Sequence, residues 1–504
     1  MLISLWIGAG ALLAIILLQI IATLIHKPSL RVYPGPWYTR VTHYVLKFYT
    51  LTGRRMQYVH SLHQRYGSVV RLSPNQLAFC DPDAFVSIHK IGSGFTKTQW
   101  YEDFSGGAGG TGIGIGLFAM TDVKKHASRR KLFARAFSAA SLRSNCEDVV
   151  KEKVEKAVSR IMTEARDTGE ADIMKWWMLM ASDIIGQLSF GESFELLESG
   201  EKSHHIQVLE AAALGATLQY EMPGISGLLR RIPVPKLNLL VTAPNLVHKY
   251  GEAAVLNLRR HSDNRANLFA TMLAQSEAAA EKFELTDDDI RKEASNFILA
   301  GADTTAITLT YLVWAVLKRP ELRVRVEDEV STLGPAASDE ALEQLPLLNA
   351  VIEETLRLYG AVPGNLPRVV PEGGVSLGGY AVPEGIEVET QAYSLHRDPN
   401  IFPDPLTYVP CYPSRSLKVT KDRFDETRWM GKDGPKPRSY CPFGAGTRTC
   451  AGIHLARMEI RLGAATLFRQ CKGLRLGAQM NDEMMEPANF FLATPVGKRC
   501  NVRF

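Results

Sequence analysis

The chain has 504 residues, 46% hydrophobic and 22% charged, with 58 Lys and Arg against 53 Asp and Glu for a net charge of +5. The basic residues are scattered and no nucleic-acid motif occurs, which excludes a nucleic-acid-binding role. No repeat, charge block or Ser/Gly linker divides the body, so one large domain is expected, and seven dispersed cysteines exclude a disulfide framework.

Residues 2–25 carry no charge and are dominated by Leu, Ile, Ala and Gly. At about 1.5 Å per residue, such a helix spans a hydrocarbon core of roughly 30 Å. A cleaved signal peptide would start with a basic residue, and Met1-Leu2-Ile3-Ser4 has none. A single-pass transmembrane anchor over 1–25 is therefore expected. Lys27, Arg31, Arg40, Lys47, Arg54 and Arg55 follow it, which places the rest of the chain in the cytosol. Pro34-Gly35-Pro36 restricts the backbone and marks a hinge linker over 26–40, leaving 41–504 as the main domain.

Helical periodicity fills most of that domain. Short alternating stretches bounded by Gly and Pro, at 68–72, 375–377 and 386–389, predict strands. The expected fold class is mainly α with small β-sheets. The longest helix is predicted over 287–318, with Thr286 as N-cap, Asp287, Asp288 and Asp289 at the positive end of its dipole, and Pro320 beyond its end. A helix of that length crosses the whole body. Its middle reads Ala300-Gly301-Ala302-Asp303-Thr304-Thr305. The small residues make either a helix-packing notch, with Thr bonded back to a carbonyl, or room for a bound group beside Asp303 and Thr304.

Near the carboxyl end, Phe443-Gly444-Ala445-Gly446-Thr447-Arg448-Thr449-Cys450-Ala451-Gly452 precedes a helical stretch over 453–468. Its glycines permit a tight loop that leaves a flat group room against the backbone. Cys450 stands at the helix entrance, where free amides and the dipole stabilise a thiolate, a soft ligand for iron. Arg448 can pair with a carboxylate. A single such Cys is also compatible with an inert thiol, or with zinc held by Cys441, Cys450 and His454, although that spacing fits no common zinc pattern.

The full string Phe-x-x-Gly-x-Arg-x-Cys-x-Gly resembles the haem-ligand loop of the cytochrome P-450 family, and the resemblance runs along nearly the whole body. Glu354-Thr355-Leu356-Arg357 matches the family's buried ion-paired helix motif, and Arg428 matches the later Arg that joins it. Glu426 stands where the family usually has Pro. His126 and Arg130 resemble the helix that clamps haem propionates, with His126 where many members carry Trp, and Arg368 resembles another propionate partner. The resemblance implies a single large haem domain with haem b (iron protoporphyrin IX) as cofactor and Cys450 as the iron ligand. Arg448, Arg368, His126, Arg130, Phe443 and Gly444 would surround the haem.

The same resemblance makes Asp303 and Thr304 the catalytic pair. Thr304 would serve the oxygen chemistry, Asp303 would relay protons from solvent, and Ala300 and Gly301 would leave space for oxygen and substrate. It implies a monooxygenase that inserts one atom of O₂ into a lipophilic small molecule. Electrons would come from NADPH through NADPH-cytochrome P-450 reductase at the endoplasmic reticulum membrane, and the motif style resembles the fungal secondary-metabolism branch, acting on terpenoids, polyketides or related compounds. The substrate pocket would draw on the Gly-rich loop 105–117, the helix near 207–220, Phe297, the turn 361–364 and the loop 490–493. Two other readings stand beside it: an O₂-independent isomerase or dehydratase acting on a peroxide, and a non-catalytic haem carrier or sensor. Asp303-Thr304 argues against the first.

Overall fold

The computed structural model describes residues 28–106, 113–201, 204–260, 267–269, 286–409, 419–431 and 438–504. The expected anchor over 1–25 and the centre of the Gly-rich loop, 107–112, lie outside the described residues.

The organising element is the helix Asp287–Leu317. Its start is a complete capping box, in which Thr286 and Asp289 each accept from the other's backbone amide, so two donors that a helix start leaves free are satisfied. Ile298, Ala302, Ala306, Ile307 and Leu309 on it are fully buried. Among the described residues it is the one helix long and apolar enough to cross a bilayer, but other helices cover most of it, as befits a core helix.

The helices Ile173–Phe190, Pro235–Arg260, Pro346–Tyr359 and Ile453–Gln470 pack against it. Two glycines set how closely they approach. A Cβ at Gly301 would lie 2.8 Å from the Ile185 side chain, and one at Gly463 would lie 3.1 Å from Leu309. Gly301, expected to leave room for oxygen and substrate, is thus the notch that admits Ile185.

Beside this bundle lies a five-stranded sheet in the order Val69–Ser73, Gln76–Phe79, Glu387–Glu389, Arg368–Val369, Thr96–Lys97. Strands 68–72 and 386–389 of the sequence reading fall within it, and Val375–Leu377 pairs with Tyr380–Val382 in a separate hairpin. The antiparallel register of the last two strands sets Lys97 opposite Arg368.

The stretch 26–40, expected as a linker, is folded onto this sheet from Pro28 onward. Leu30 and Tyr33 are fully buried, the Tyr33 hydroxyl donates to Ala381 O at 2.7 Å, and Arg71 Nη1 donates to Leu30 O at 2.8 Å. Pro34-Gly35-Pro36 does break the chain locally, but two apolar side chains before it hold the segment to the body.

Candidate active site

The Cys450 loop is turned by two glycines. Gly444 and Gly446 have φ of +73° and +63°, a region that costs any residue with a Cβ. A Cβ at Gly446 would also fall 1.9 Å from His89 O. The Cys450 amide donates to Phe443 O at 2.9 Å, which closes the loop. Burial raises the Cys450 thiol above its usual value; the Gly452 amide and the Arg130 guanidinium pull it down. The sequence led us to expect a thiol lowered by the helix start, and here desolvation outweighs that effect. Cys450 keeps accessible surface, unlike the other cysteines among the described residues.

The middle of the long helix has the same property on one side. Ala300 is exposed and Thr304 half-buried, whereas Ala302, Asp303 and Thr305 are buried. Positions i and i+4 share a face, and the Thr304 hydroxyl donates to Ala300 O at 2.8 Å. Asp303 has an oxygen, Oδ1, without a partner. Burial first, and then Glu210, raises its carboxyl to about 7. Thr305 bonds to Glu459 on the helix that follows Cys450, and burial raises that acid to about 8. That contact ties the long helix to the helix that follows Cys450. No hydrogen bond among the described residues links Asp303 or Thr304 directly to the Cys450 loop.

Around the loop the structure gathers five basic side chains: Lys97, His126, Arg130, Arg368 and Arg448. Arg130 donates to Thr449 O at 2.7 Å and Arg448 to Met120 O at 2.8 Å. Arg368 donates to the Tyr101 hydroxyl at 2.8 Å, and the Lys97 ammonium to Phe118 O. Burial lowers Lys97 well below its ordinary value, with Arg368 and Arg448 adding to it. His126 falls to about 3 through burial and then the charges of Arg448, Lys97, Arg130 and Arg368. No carboxylate among the described residues forms an ion pair with any of the five. Like charges directly opposite on paired strands, as Lys97 and Arg368 are, repel, and buried charge without a counter-charge is costly. Such a donor set fits a group with two carboxylates, and with Cys450 beside it fits haem. Lys97 was missed by sequence reasoning, because a two-residue strand shows no periodicity.

The chain matches the cytochrome P-450 family model over residues 34–500. It is 40% identical over 480 residues to the cytochrome P-450 monooxygenase stcB of Emericella nidulans, covering 93% of this chain and 87% of that one. With tazI of Aspergillus terreus, also named a cytochrome P-450 monooxygenase, identity is 37% over 504 residues, 98% of this chain and 99% of the relative. The methylphloroacetophenone oxidase of Cladonia uncialis is 32% identical over 392 residues, 76% of this chain and 85% of that one. This chain is a cytochrome P-450. It is accordingly a haem-dependent oxidoreductase of monooxygenase type that takes electrons from a redox partner.

Within this cytochrome P-450 the ion-paired helix motif is fully enclosed. Arg357 bonds both oxygens of Glu354 at 2.8 Å and donates to His396 O and Arg423 O. Glu354 also accepts from the Asp425 amide and Trp429 Nε1, with Arg428 Nε at 3.5 Å. Glu426, where the family usually has Pro, bonds Arg325 at 2.8 Å and so finds a partner on a neighbouring helix. The zinc reading gains no support among the described residues: no cluster of His, Cys, Asp or Glu suited to a metal occurs there, and Cys441 lies against His396 instead.

In the loop expected to line the substrate pocket, Phe491 packs against Trp100, Phe104 and Phe118 with centroids 5.2–6.1 Å apart. Phe297, expected in the pocket, sits instead among Phe133, Phe137 and Phe269. Its position on the long helix points it into that aromatic packing cluster.

Proposed function

We propose that this cytochrome P-450 is a membrane-anchored monooxygenase that hydroxylates or epoxidises a lipophilic small molecule in fungal secondary metabolism, fed by NADPH through a reductase. The overall balance is substrate C–H plus O₂, NADPH and a proton giving C–OH, water and NADP⁺. The observation that carries the reading is Cys450 on its glycine-turned loop, beside buried cations that have no carboxylate partner among the described residues. Bound haem would supply an iron whose thiolate ligand favours O–O cleavage.

Cys450 would hold the iron; Lys97, Arg130, Arg368 and Arg448 would hold the propionates, with neutral His126 filling the space between them. Phe443 and Gly444 shape the ligand loop. Asp303, poised near neutrality with an unpartnered oxygen, would take up protons from the solvent side, and the Thr304 hydroxyl would hand them on. The uncharged run 2–25 would anchor the domain at the endoplasmic reticulum membrane. One relative's name contains an oxygenated aromatic ketone, methylphloroacetophenone, and an aromatic polyketide suits the ring-lined pocket around Phe491.

Reconstitution with an NADPH-dependent reductase and a candidate substrate should give oxygenated product. In Thr304→Ala, product per NADPH should fall on the order of ten-fold or more, with hydrogen peroxide released instead. Tight coupling in that variant would remove Thr304 from proton delivery, and turnover of hydroperoxides without NADPH would overturn the monooxygenase reading.

A further inference from the structure

Residues 113–121 run from the Gly-rich loop to the helix Val123–Ala134 as a strap anchored at both ends. At the far end, Phe118 O and Met120 O accept from Lys97 and Arg448, and the Thr121 amide donates to Glu102 Oε1 at 3.1 Å. At the near end the partner is Glu293, a wholly buried acid on the long helix. The Leu117 amide donates to both Glu293 oxygens, at 2.9 and 3.1 Å. Asn296 Nδ2, on the same helix, donates to Gly114 O at 3.2 Å. The strap is seated closely there. A Cβ at Gly116 would lie 2.9 Å from Glu293 Oε2 and 2.8 Å from Asn296 Nδ2.

A buried carboxylate is costly unless it is paired, and the charge of Glu293 is met by Arg129 on the helix Val123–Ala134. Arg129 Nη1 donates to Glu293 Oε1 at 2.9 Å, and Nη2 bonds Asp289 Oδ1 at 2.8 Å. Lys292, the neighbouring cation on the long helix, pairs with Asp288 instead. Burial pushes the Glu293 carboxyl up to about 7; the Leu117 amide and Arg129 pull it down, and Asp289 pushes it up. Asp289 itself is held below its ordinary value, because its bonds to Arg129 and Thr286 outweigh its burial. Arg129 therefore keeps one carboxylate partner whichever state Glu293 adopts. Ionised Glu293 accepts from an amide and a guanidinium together, and such charge-assisted bonds are roughly twice as strong as neutral ones. Protonated Glu293 loses that advantage and carries a hydrogen of its own.

We infer that Glu293 is a proton-operated latch: ionised, it holds the strap to the long helix through the Leu117 amide, and protonated, it lets that turn go. The strap carries Phe118, whose ring packs on Tyr101 and Phe491, so release loosens the ring cluster of the loop expected to line the substrate pocket. The latch stands independently of the proposed oxygenation, since neither substrate nor electrons take part in it.

Hydrogen exchange resolved to the Leu117 amide reads the latch directly, on the haem-loaded full chain without substrate. Relative to an unstructured peptide at each pH, protection should rise roughly ten-fold or more between about pH 5.5 and about pH 8.5, the value of one charge-assisted bond. Amides of the helix Val123–Ala134 should show no such rise. Glu293→Gln keeps the size of the side chain and removes its titration, so Leu117 protection should stay near the acid-side level throughout. Arg129→Met removes the cation that favours the ionised form, so the midpoint of the rise should move to higher pH. A flat wild-type profile would overturn the inference, as would a rise that survives in Glu293→Gln. So would a midpoint in Arg129→Met that stays in place or falls. Where Glu293→Gln fails to fold, the wild type and Arg129→Met decide the question.

Discussion

Two clusters of buried arginine stand in contrast: one closes on a glutamate, and the other, around the Cys450 loop, has no carboxylate among the described residues. In the first, Glu354, Arg357 and Arg428 meet backbone carbonyls, an amide and an indole, and Glu354 and Arg357 are wholly enclosed. Every charge there has its counter-charge inside the chain. In the second, Lys97, Arg130, Arg368 and Arg448 press on one another around the neutral His126, relieved by carbonyls and the Tyr101 hydroxyl but by no carboxylate among the described residues. A chain that closes its charges in one place and leaves them open in another reserves the second for a ligand. The first cluster is architecture, and the second is the one we propose as the receptor for the haem carboxylates.

The comparison breaks most sharply at Glu354. Glu354→Ala would leave the buried Arg357 guanidinium without its counter-charge, at a cost of about 3–5 kcal/mol, a large share of a typical domain's stability. Denaturant unfolding should show that loss, or no soluble protein at all. A change below about 1 kcal/mol would mean that the cluster is dispensable to the fold.

The anion receptor should answer in the opposite sense. Arg448→Met should weaken haem retention on the order of ten- to a hundred-fold, since charge-assisted bonds contribute about 1.5–3 kcal/mol each. The haem-free chain should meanwhile be no less stable, because one of several mutually repelling charges is gone. Haem transfer to a scavenging apoprotein and thermal unfolding measure the two quantities on the same preparation. Equal losses in both would make Arg448 a purely structural residue.

A smaller effect separates Asp303 from both clusters. Its carboxyl is raised to about 7, chiefly by burial, so the folded chain holds a proton that the unfolded chain releases near 4. Asp303 therefore favours folding below about pH 4, and that contribution is lost as the pH rises through about 7. Between those limits the melting temperature should decline with pH, and Asp303→Asn should flatten the decline. An unchanged slope would show that Asp303 ionises freely.

What the sequence made legible was local or carried by spacing. Thr286 and three aspartates announced the start of the long helix, and the Cys450 string announced its loop. Partners distant in sequence were not legible. Lys97 lies on a strand of two residues and meets Arg368 only through sheet register. Leu30 and Tyr33 looked like part of a linker because Pro34-Gly35-Pro36 signals a break, while the sheet that buries them forms from later segments. Gly301 was expected beside oxygen, and its neighbour Ile185 belongs to another helix. Glu426 departed from the family pattern, and its partner Arg325 lies a hundred residues away. In each case burial on a surface assembled from several segments decided the outcome, and periodicity carries no record of that.

The central claim is that Cys450 ligates a haem iron through its sulfur. The purified chain, reduced and exposed to carbon monoxide, should show the red-shifted Soret band of thiolate ligation, and Cys450→Ala should lack it. A wild-type protein without that band, or a Cys450→Ala variant that keeps it, would contradict the account.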